Sequence, residues 1–417
     1  MNIQDIKNIL KNTIWLSAGE VFSRLFLLSL FVYAARVLGP EGFGIFNFAL
    51  AFASVFLVFS NLGLSDITTR ELARDKEETN HYPNILLLRI VLSIGAFIVI
   101  FIFSFFITQD EYIRKIIWIL GIYVLAHNFL MVVYSFFRAR RQMEYEALIK
   151  ISEAFLTTAF GFLVLVQVPS AINLSWVFLA ATSTIAFLSV IFFSIIIKPI
   201  WAAWDFSIWR NFLKISWPIG LAYAFGMVYI RIDSVIMGFL GQVAEVGWYS
   251  AAYKIAGALI IPSSLIGASF FPVLSKLFRE SKEKFLQTFR FYIKFMIILA
   301  LAVTIIGLIF SSFIIKIFYG ELFAPAVLAL QILTVMAGLN YIYGPFYLAL
   351  IAANSQKKIF WISFSGAAIN IILNLVLIPR YTLYGAAVAT LLTYISLVFL
   401  AVYYFKSILP LNKRKKQ

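Results

Sequence analysis

The 417-residue sequence contains no cysteine and only two histidines. Disulfides and thiol chemistry are therefore excluded, and a transition-metal centre would lack its usual thiolate and imidazole ligands. Charge is scarce too. Asp, Glu, Lys and Arg make up 13% of the chain, against ~25% in soluble domains. The acidic sign is the rarer one, with 19 acidic residues against 34 basic and a formal net charge of +15. Motifs for enzymatic work are missing: there is no phosphate-binding Gly-Lys loop, no paired-histidine metal site and no nucleophile elbow.

What the chain has instead is apolar length. Hydrophobic residues make up 62% of it, in about twelve stretches of about 20 to 30 residues. An apolar helix of ~20 residues crosses the ~30 Å hydrocarbon core of a bilayer. Spans are expected over about 13–36, 43–64, 85–107, 116–137, 147–168 and 172–196. The second half predicts spans over about 212–240, 249–275, 289–318, 324–353, 359–378 and 383–405. Such a chain leaves no room for a soluble catalytic domain. The first stretch has no small-residue cleavage site before Arg36 and reads as a retained span.

Basic residues occupy every second loop, and cytoplasmic loops carry the excess of Lys and Arg. With a cytoplasmic N-terminus, the inner segments receive most of the 34 basic residues, from Lys7 and Lys11 through Arg138, Arg140 and Arg141 to Lys413–Lys416. The outer loops hold only Arg36, Arg114, Lys115, Lys316 and Arg380. Both termini are thus expected in the cytoplasm, with the protein in the cell (cytoplasmic or inner) membrane. A nucleic-acid footprint would gather on one face, whereas here the charge is dispersed over the inner segments, so nucleic acid is not an expected partner.

The fold class expected is an all-α polytopic membrane protein of twelve transmembrane helices in two six-helix lobes. Residues 1–197 form the N-terminal lobe, 198–211 a cytoplasmic linker, 212–406 the C-terminal lobe and 407–417 a basic tail. The halves echo each other. Leu38-Gly39 and Gly44-Ile45-Phe46 recur as Leu240-Gly241 and Gly247-Trp248-Tyr249, and the run from Tyr134 to Val166 pairs with that from Tyr347 to Pro379. A six-span repeat is even, so the copies start on the same side of the membrane and are parallel repeats, an arrangement in which a central cavity alternates its access. Chance similarity between apolar helices is the alternative explanation of such short matches.

Ala35-Arg36-Val37-Leu38-Gly39-Pro40-Glu41-Gly42-Phe43-Gly44 and Leu62-Gly63-Leu64-Ser65 through Thr69-Arg70-Glu71-Leu72 resemble the polysaccharide flippases. So does the run from Asn370 through Asn374 and Leu377-Ile378-Pro379 to Gly385-Ala386. These flippases are the O-antigen and lipid-linked oligosaccharide exporters of the multidrug/oligosaccharidyl-lipid/polysaccharide superfamily. The resemblance implies a two-lobe flippase moving polyprenyl-pyrophosphate-linked sugars outward. It implies as partners the lipid-linked oligosaccharide and membrane lipids, with other polysaccharide-assembly proteins as further candidates. No cofactor is expected.

Ionisable side chains inside a span are costly and usually face a cavity or a partner. Four basic residues lie inside apolar stretches: Arg24, Arg89, Arg231 and Lys254. Arg24, Arg231 and Lys254 are the candidate substrate-binding cations of a cavity for the pyrophosphate; Arg89, near a span end, is expected to snorkel to the interface. Glu20 is four residues from Arg24 and shares its helical face, as a switchable partner or a self-neutralising pair. Glu20, Asp233 and Glu153 are the candidates for ion coupling or ion pairing, Asp233 with Lys254 and Glu153 with Lys150. Asp66, Arg70 and Glu71 form a charged cluster expected to act as a cytoplasmic gate or an intraloop ion pair. His127 reads as a hydrogen-bonded interior imidazole or a proton relay. Asn370 and Asn374, one turn apart, read as interhelical hydrogen-bonding residues.

Three functions fit this pattern differently. A lipid-linked oligosaccharide flippase gives the buried cations a role, because an anionic headgroup does not cross hydrocarbon unaided. A cation-coupled drug exporter would favour acidic residues in its cavity. A glycan polymerase or ligase would need a long external loop, and no outer loop exceeds about ten residues.

Overall fold

A computed structural model describes residues 3–74, 81–197 and 205–408. Residues 198–204 of the expected linker and 409–417 of the expected tail lie outside the described residues. The described residues are all-helical, without a strand. In chain order the helices are α1 (Ile3–Asn61), α2 (Leu64–Arg74), α3 (His81–Ile107), α4 (Glu111–Ala139), α5 (Met143–Gln167) and α6 (Ala171–Ile197). They continue as α7 (Phe206–Phe239), α8 (Val243–Glu280), α9 (Lys282–Tyr319), α10 (Ala326–Ala352) and α11 (Gln356–Lys406). Among the described residues, nine helical stretches are long and apolar enough to cross a bilayer. The chain is a multi-pass membrane protein.

Two of these helices contain a break where two spans were expected. In α1 the break is Gly39, at φ 68° and ψ 178°. Glycine enters that region without a Cβ penalty, and Pro40 then starts the next helical segment, where its missing N–H costs nothing. In α11 the break is Thr382, at φ 48° and ψ −126°, a costly conformation for a β-branched residue. The two arms of α11 then pack on each other, the Asn370 amide donating across them to Thr393 Oγ1 at 3.1 Å; within the first arm the Asn374 amide donates to Asn370 Oδ1 at 2.9 Å.

Positive φ recurs at corresponding places in the two halves. Gly39 and Gly241 have φ 68° and 75°, and the turns after α4 and α10 place Arg141 and Asn354 at φ 58° and 52°.

The chain divides into two compact units, 1–227 with 241–247, and 228–240 with 248–417. The division falls inside α7, a continuous helix, beyond the 198–211 linker. In the first unit, Trp209 and Phe212 of α7 join a core with Phe136 and Phe137 of α4 and Phe193 of α6. The segment 241–247 also belongs here, and its glycine is required: a Cβ on Gly247 would overlap the Pro40 carbonyl, and a Cβ on Gly44 the Val243 carbonyl. In the second unit Phe289, Tyr292 and Met296 of α9 pack with Tyr341 of α10 and Phe405 of α11. Stacked rings join them, with Phe289 and Phe405 centroids 4.3 Å apart.

Arg89 differs from expectation. It is buried at 1% exposure and does not snorkel. Its guanidinium donates to Asn128 Oδ1 at 3.0 Å, to Ser65 Oγ at 2.8 Å and to the Ser60 carbonyl at 3.5 Å. Asn128 in turn donates to Ser93 Oγ at 3.3 Å. Burial is tolerated because these acceptors replace water. The side chain thereby ties the last turn of α1 and the first turn of α2 to α3 and α4.

Candidate functional site

The first unit holds a cavity of about 310 Å³ between α1, α4, α5 and α6. Glu20 and Arg24 line it from α1, His127 and Arg138 from α4, Lys150 and Glu153 from α5, and Thr182 from α6. Three sequence candidates, Glu20, Arg24 and Glu153, are therefore brought to one place. Arg231, Asp233 and Lys254 belong to the second unit.

Four of the cavity charges join buried Glu146 in a ladder of alternating sign. Arg24 lies 2.6 Å from Glu20, across one helical turn. The other oxygen of Glu20 is 3.6 Å from Lys150 Nζ, and Lys150 Nζ is 2.9 Å from Glu146. Glu146, fully buried, accepts a two-pronged bond from Arg138, Nε at 2.6 Å and Nη2 at 2.5 Å. Such a fork is the geometry in which guanidinium–carboxylate pairs are strongest. The Lys150 ammonium also stands 5.4 Å above the Tyr134 ring, a cation–π distance. Arg24 at one end is about half exposed.

Glu153 does not pair with Lys150. His127 Nδ1 lies 3.1 Å from Glu153 Oε1, and the same oxygen accepts the Thr182 hydroxyl at 2.8 Å. The reason is helical phase. Lys150 shares a face with Glu146, four residues before it, whereas Glu153 is directed to α4 and α6. The expectation that His127 is a hydrogen-bonded interior imidazole agrees with this bond.

The sequence offers Lys150 only as a partner for Glu153 and does not single out Arg138 or Glu146 from the charges near loops. A signal is present in the Glu146–Lys150 spacing, one helical turn with the acid first. Arg138 reaches Glu146 only through the tight turn at Arg141, which spacing alone does not reveal.

In the second unit Asp233 is fully buried. The Tyr249 hydroxyl donates to its Oδ2, and the Ser234 N–H donates to its Oδ1 at 2.7 Å. The Thr390 hydroxyl is 3.5 Å from Oδ2 and 3.2 Å from the Tyr249 oxygen. Helices α7, α8 and α11 thus meet at this carboxylate. Arg231 and Lys254 are half-buried and within electrostatic reach of each other. Arg231 Nε is buried without a hydrogen-bond partner among the described residues.

The cluster of Asp66, Arg70 and Glu71 sits on a helix and not in a loop. On α2, Leu64, Ile67 and Leu72 are buried while Asp66 and Arg70 are exposed. Arg70 pairs with Glu71 at 2.8 Å. Among the described residues, no group of three or more acidic or histidine side chains is placed to hold a metal ion.

The family model described as "Polysaccharide biosynthesis protein" matches residues 9–278, and the chain belongs to that family. An uncharacterised membrane protein of Methanocaldococcus jannaschii is 26% identical over 422 residues, covering 95% of this chain and 97% of the relative. A Shigella flexneri protein named "Putative O-antigen transporter" is 25% identical, covering 75% of this chain and 77% of the relative. Two solved structures share the fold at a TM-score of 0.75. One is an inward-facing multidrug-resistance MATE transporter of the MOP superfamily, 15% identical, covering 93% of this chain and 95% of its own. The other is the lipid II flippase MurJ in an inward closed conformation, 18% identical, covering 94% and 87%.

Proposed function

We propose that the protein is a flippase that moves a polyprenyl-pyrophosphate-linked oligosaccharide from the inner to the outer leaflet of the cell membrane. The cargo is an O-antigen or another surface-polysaccharide repeat unit. The protein is a transporter, not an enzyme, and its sequence has no phosphate-binding Gly-Lys loop. Twelve spans form two six-helix lobes as parallel repeats, with both termini cytoplasmic, and access to the headgroup site alternates as the lobes rock. The matching positive-φ turns at Gly39 and Gly241, and at Arg141 and Asn354, support the repeat.

The observation that carries the reading is the Glu20–Arg24 pair, which opens into a cavity also lined by Arg138 and Lys150. An anionic headgroup held there exchanges its hydration for fixed cations while the prenyl tail stays in lipid. In this reading Arg24, Arg231 and Lys254 attract the pyrophosphate. Glu20, Asp233 and Glu153 are the ion-coupling carboxylates, and Asp66, Arg70 and Glu71 gate the cytoplasmic side. The Shigella flexneri relative supports the cargo class, and MurJ is a flippase of the same fold.

The test is export of the surface glycan in cells carrying Arg24→Ala. The expected result is loss of export with the protein stably inserted at normal abundance. Normal export by that variant removes Arg24 from the mechanism. A second reading, a multidrug exporter, draws on the MATE fold and on the carboxylates Glu20 and Glu153 in the cavity. Drug resistance conferred on an exporter-deficient strain, with no effect on glycan export, would favour it.

A further inference from the structure

The net charge of the cavity of the first unit turns on one pair. The ladder Arg24–Glu20–Lys150–Glu146–Arg138 holds three cations and two carboxylates, so it carries one positive charge in excess. Glu153, in the same cavity, cancels that excess when His127 is neutral. Among the described residues, the elements around the pair supply nothing else to tip the sum. Helix α1 contributes Glu20 and Arg24; α4 contributes Arg138 with the neutral phenols of Tyr123 and Tyr134; α6 contributes the Thr182 hydroxyl. Asp66 of α2 reaches Arg138 electrostatically but is exposed to solvent; Glu146, which likewise does not line the cavity, counts because it is fully buried against Arg138 and Lys150.

Each ladder member already has an opposite partner within ion-pair distance. An incoming anion must compete with Glu20 for Arg24 and Lys150, and it gains no net Coulomb attraction from a neutral cavity. One proton on the His127–Glu153 pair changes this. Whether it resides on imidazole or carboxylate, the cavity gains one positive charge, close to Lys150 and Tyr134. The geometry suits a shared proton, because the two groups are joined by a hydrogen bond at 3.1 Å and Thr182 holds the carboxylate in place from a third helix.

We propose that anion binding in this cavity is linked to uptake of one proton by the His127–Glu153 pair, which converts a neutral cavity into a cationic one. This deepens the flippase reading and rests on it for the identity of the anion, a sugar pyrophosphate diester. By linkage the effect is reciprocal: the proton strengthens anion binding, and the anion strengthens proton binding by the same factor.

The test uses the full-length protein in detergent and UDP-glucose as the probe, a water-soluble sugar pyrophosphate diester. Its charge of about two is constant between about pH 5.5 and 8, because pyrophosphate diesters lack a proton that titrates there. Calorimetry in two buffers of different ionisation enthalpy counts the protons taken up. The wild type is expected to take up as much as one proton per probe bound, with affinity falling toward about tenfold per pH unit on the alkaline side, the limit for one linked proton. Glu153→Gln makes the excess charge permanent, so tight binding persists at alkaline pH; the imidazole then titrates alone, and what proton uptake remains moves to the acid side. His127→Gln leaves the carboxylate to titrate alone, and the pH dependence moves to the acid side. Glu153→Asp retains proton uptake, and this separates charge from packing.

Zero proton uptake by the wild type, or a Glu153→Gln variant with the wild-type pH profile, overturns the inference. So does a wild type that binds the probe at no pH, because the protonated cavity is the form that receives it. Glycan export in cells with and without the wild-type protein decides the flippase reading and succeeds or fails independently of these outcomes.

Discussion

Gly247 lies so close to Pro40 that a Cβ on the glycine would overlap the Pro40 carbonyl oxygen, and Gly44 stands in the same relation to Val243. The two contacts are reciprocal: each glycine approaches the backbone just after the other segment's positive-φ glycine, Gly39 or Gly241. The short sequence echo Gly39/Gly44 and Gly241/Gly247 therefore has a packing reason.

Gly44→Val and Gly247→Val are expected to lower stability by about 1–3 kcal/mol each, the usual cost of forcing extra volume into a packed interior. Thermal unfolding in detergent reads this as a lowered midpoint. Both sites are closed by backbone, which moves less readily than a side chain. Wild-type midpoints for both variants would show that this contact is not maintained.

Arg89→Met is expected to destabilise the protein by about 2–4 kcal/mol, because it leaves Asn128, Ser65 and the Ser60 carbonyl without their donor in a buried setting. The loss should concentrate at the α1–α2 junction. Protease sensitivity near residues 60–66 is the measurement, and an unchanged cleavage pattern there would count against the tie. A snorkelling arginine predicts almost no effect of the same substitution.

Asn370 and Thr393 join the two arms of α11 by a single side-chain bond. Double-mutant cycles with Asn370→Ala and Thr393→Val should give a coupling of about 0.5–1.7 kcal/mol, the range of interhelical hydrogen bonds in membrane proteins. Asn370→Ala also removes the acceptor used by Asn374, so its single-variant cost should exceed that of Thr393→Val.

Tyr249→Phe removes one hydroxyl from fully buried Asp233 and leaves the Ser234 N–H and Thr390. If Asp233 couples an ion, the variant should change the dependence of export on the ion gradient more than it changes protein abundance. Equal losses of both would assign the group to structure alone.

Most of the helical architecture is legible in the sequence. The span expected over 85–107 lies within α3 from His81 to Ile107, and the pairs of spans meeting near 40 and 380 appear as helices broken at Gly39 and Thr382. The i, i+4 spacing of Glu20 and Arg24 also foretells their pairing. The partners of other intramembrane charges are not legible. Proximity in the chain pairs Glu153 with Lys150, yet it meets His127 and Thr182 from other helices. A position near a span end predicts Arg89 at the membrane interface, yet its acceptors come from three other helices.

The sequence by itself determined that the chain crosses the membrane repeatedly, because apolar length and the lack of water in hydrocarbon leave a helix as its economical form. It also determined which few charges need an explanation. Tertiary structure alone decided how those charges are neutralised. A buried ion selects the nearest opposite group in space, and in a bundle that group comes from a neighbouring helix as often as from the same one. This is why the ladder from Arg24 to Arg138, and the charge balance held by His127 and Glu153, appear only once α1, α4, α5 and α6 are packed together.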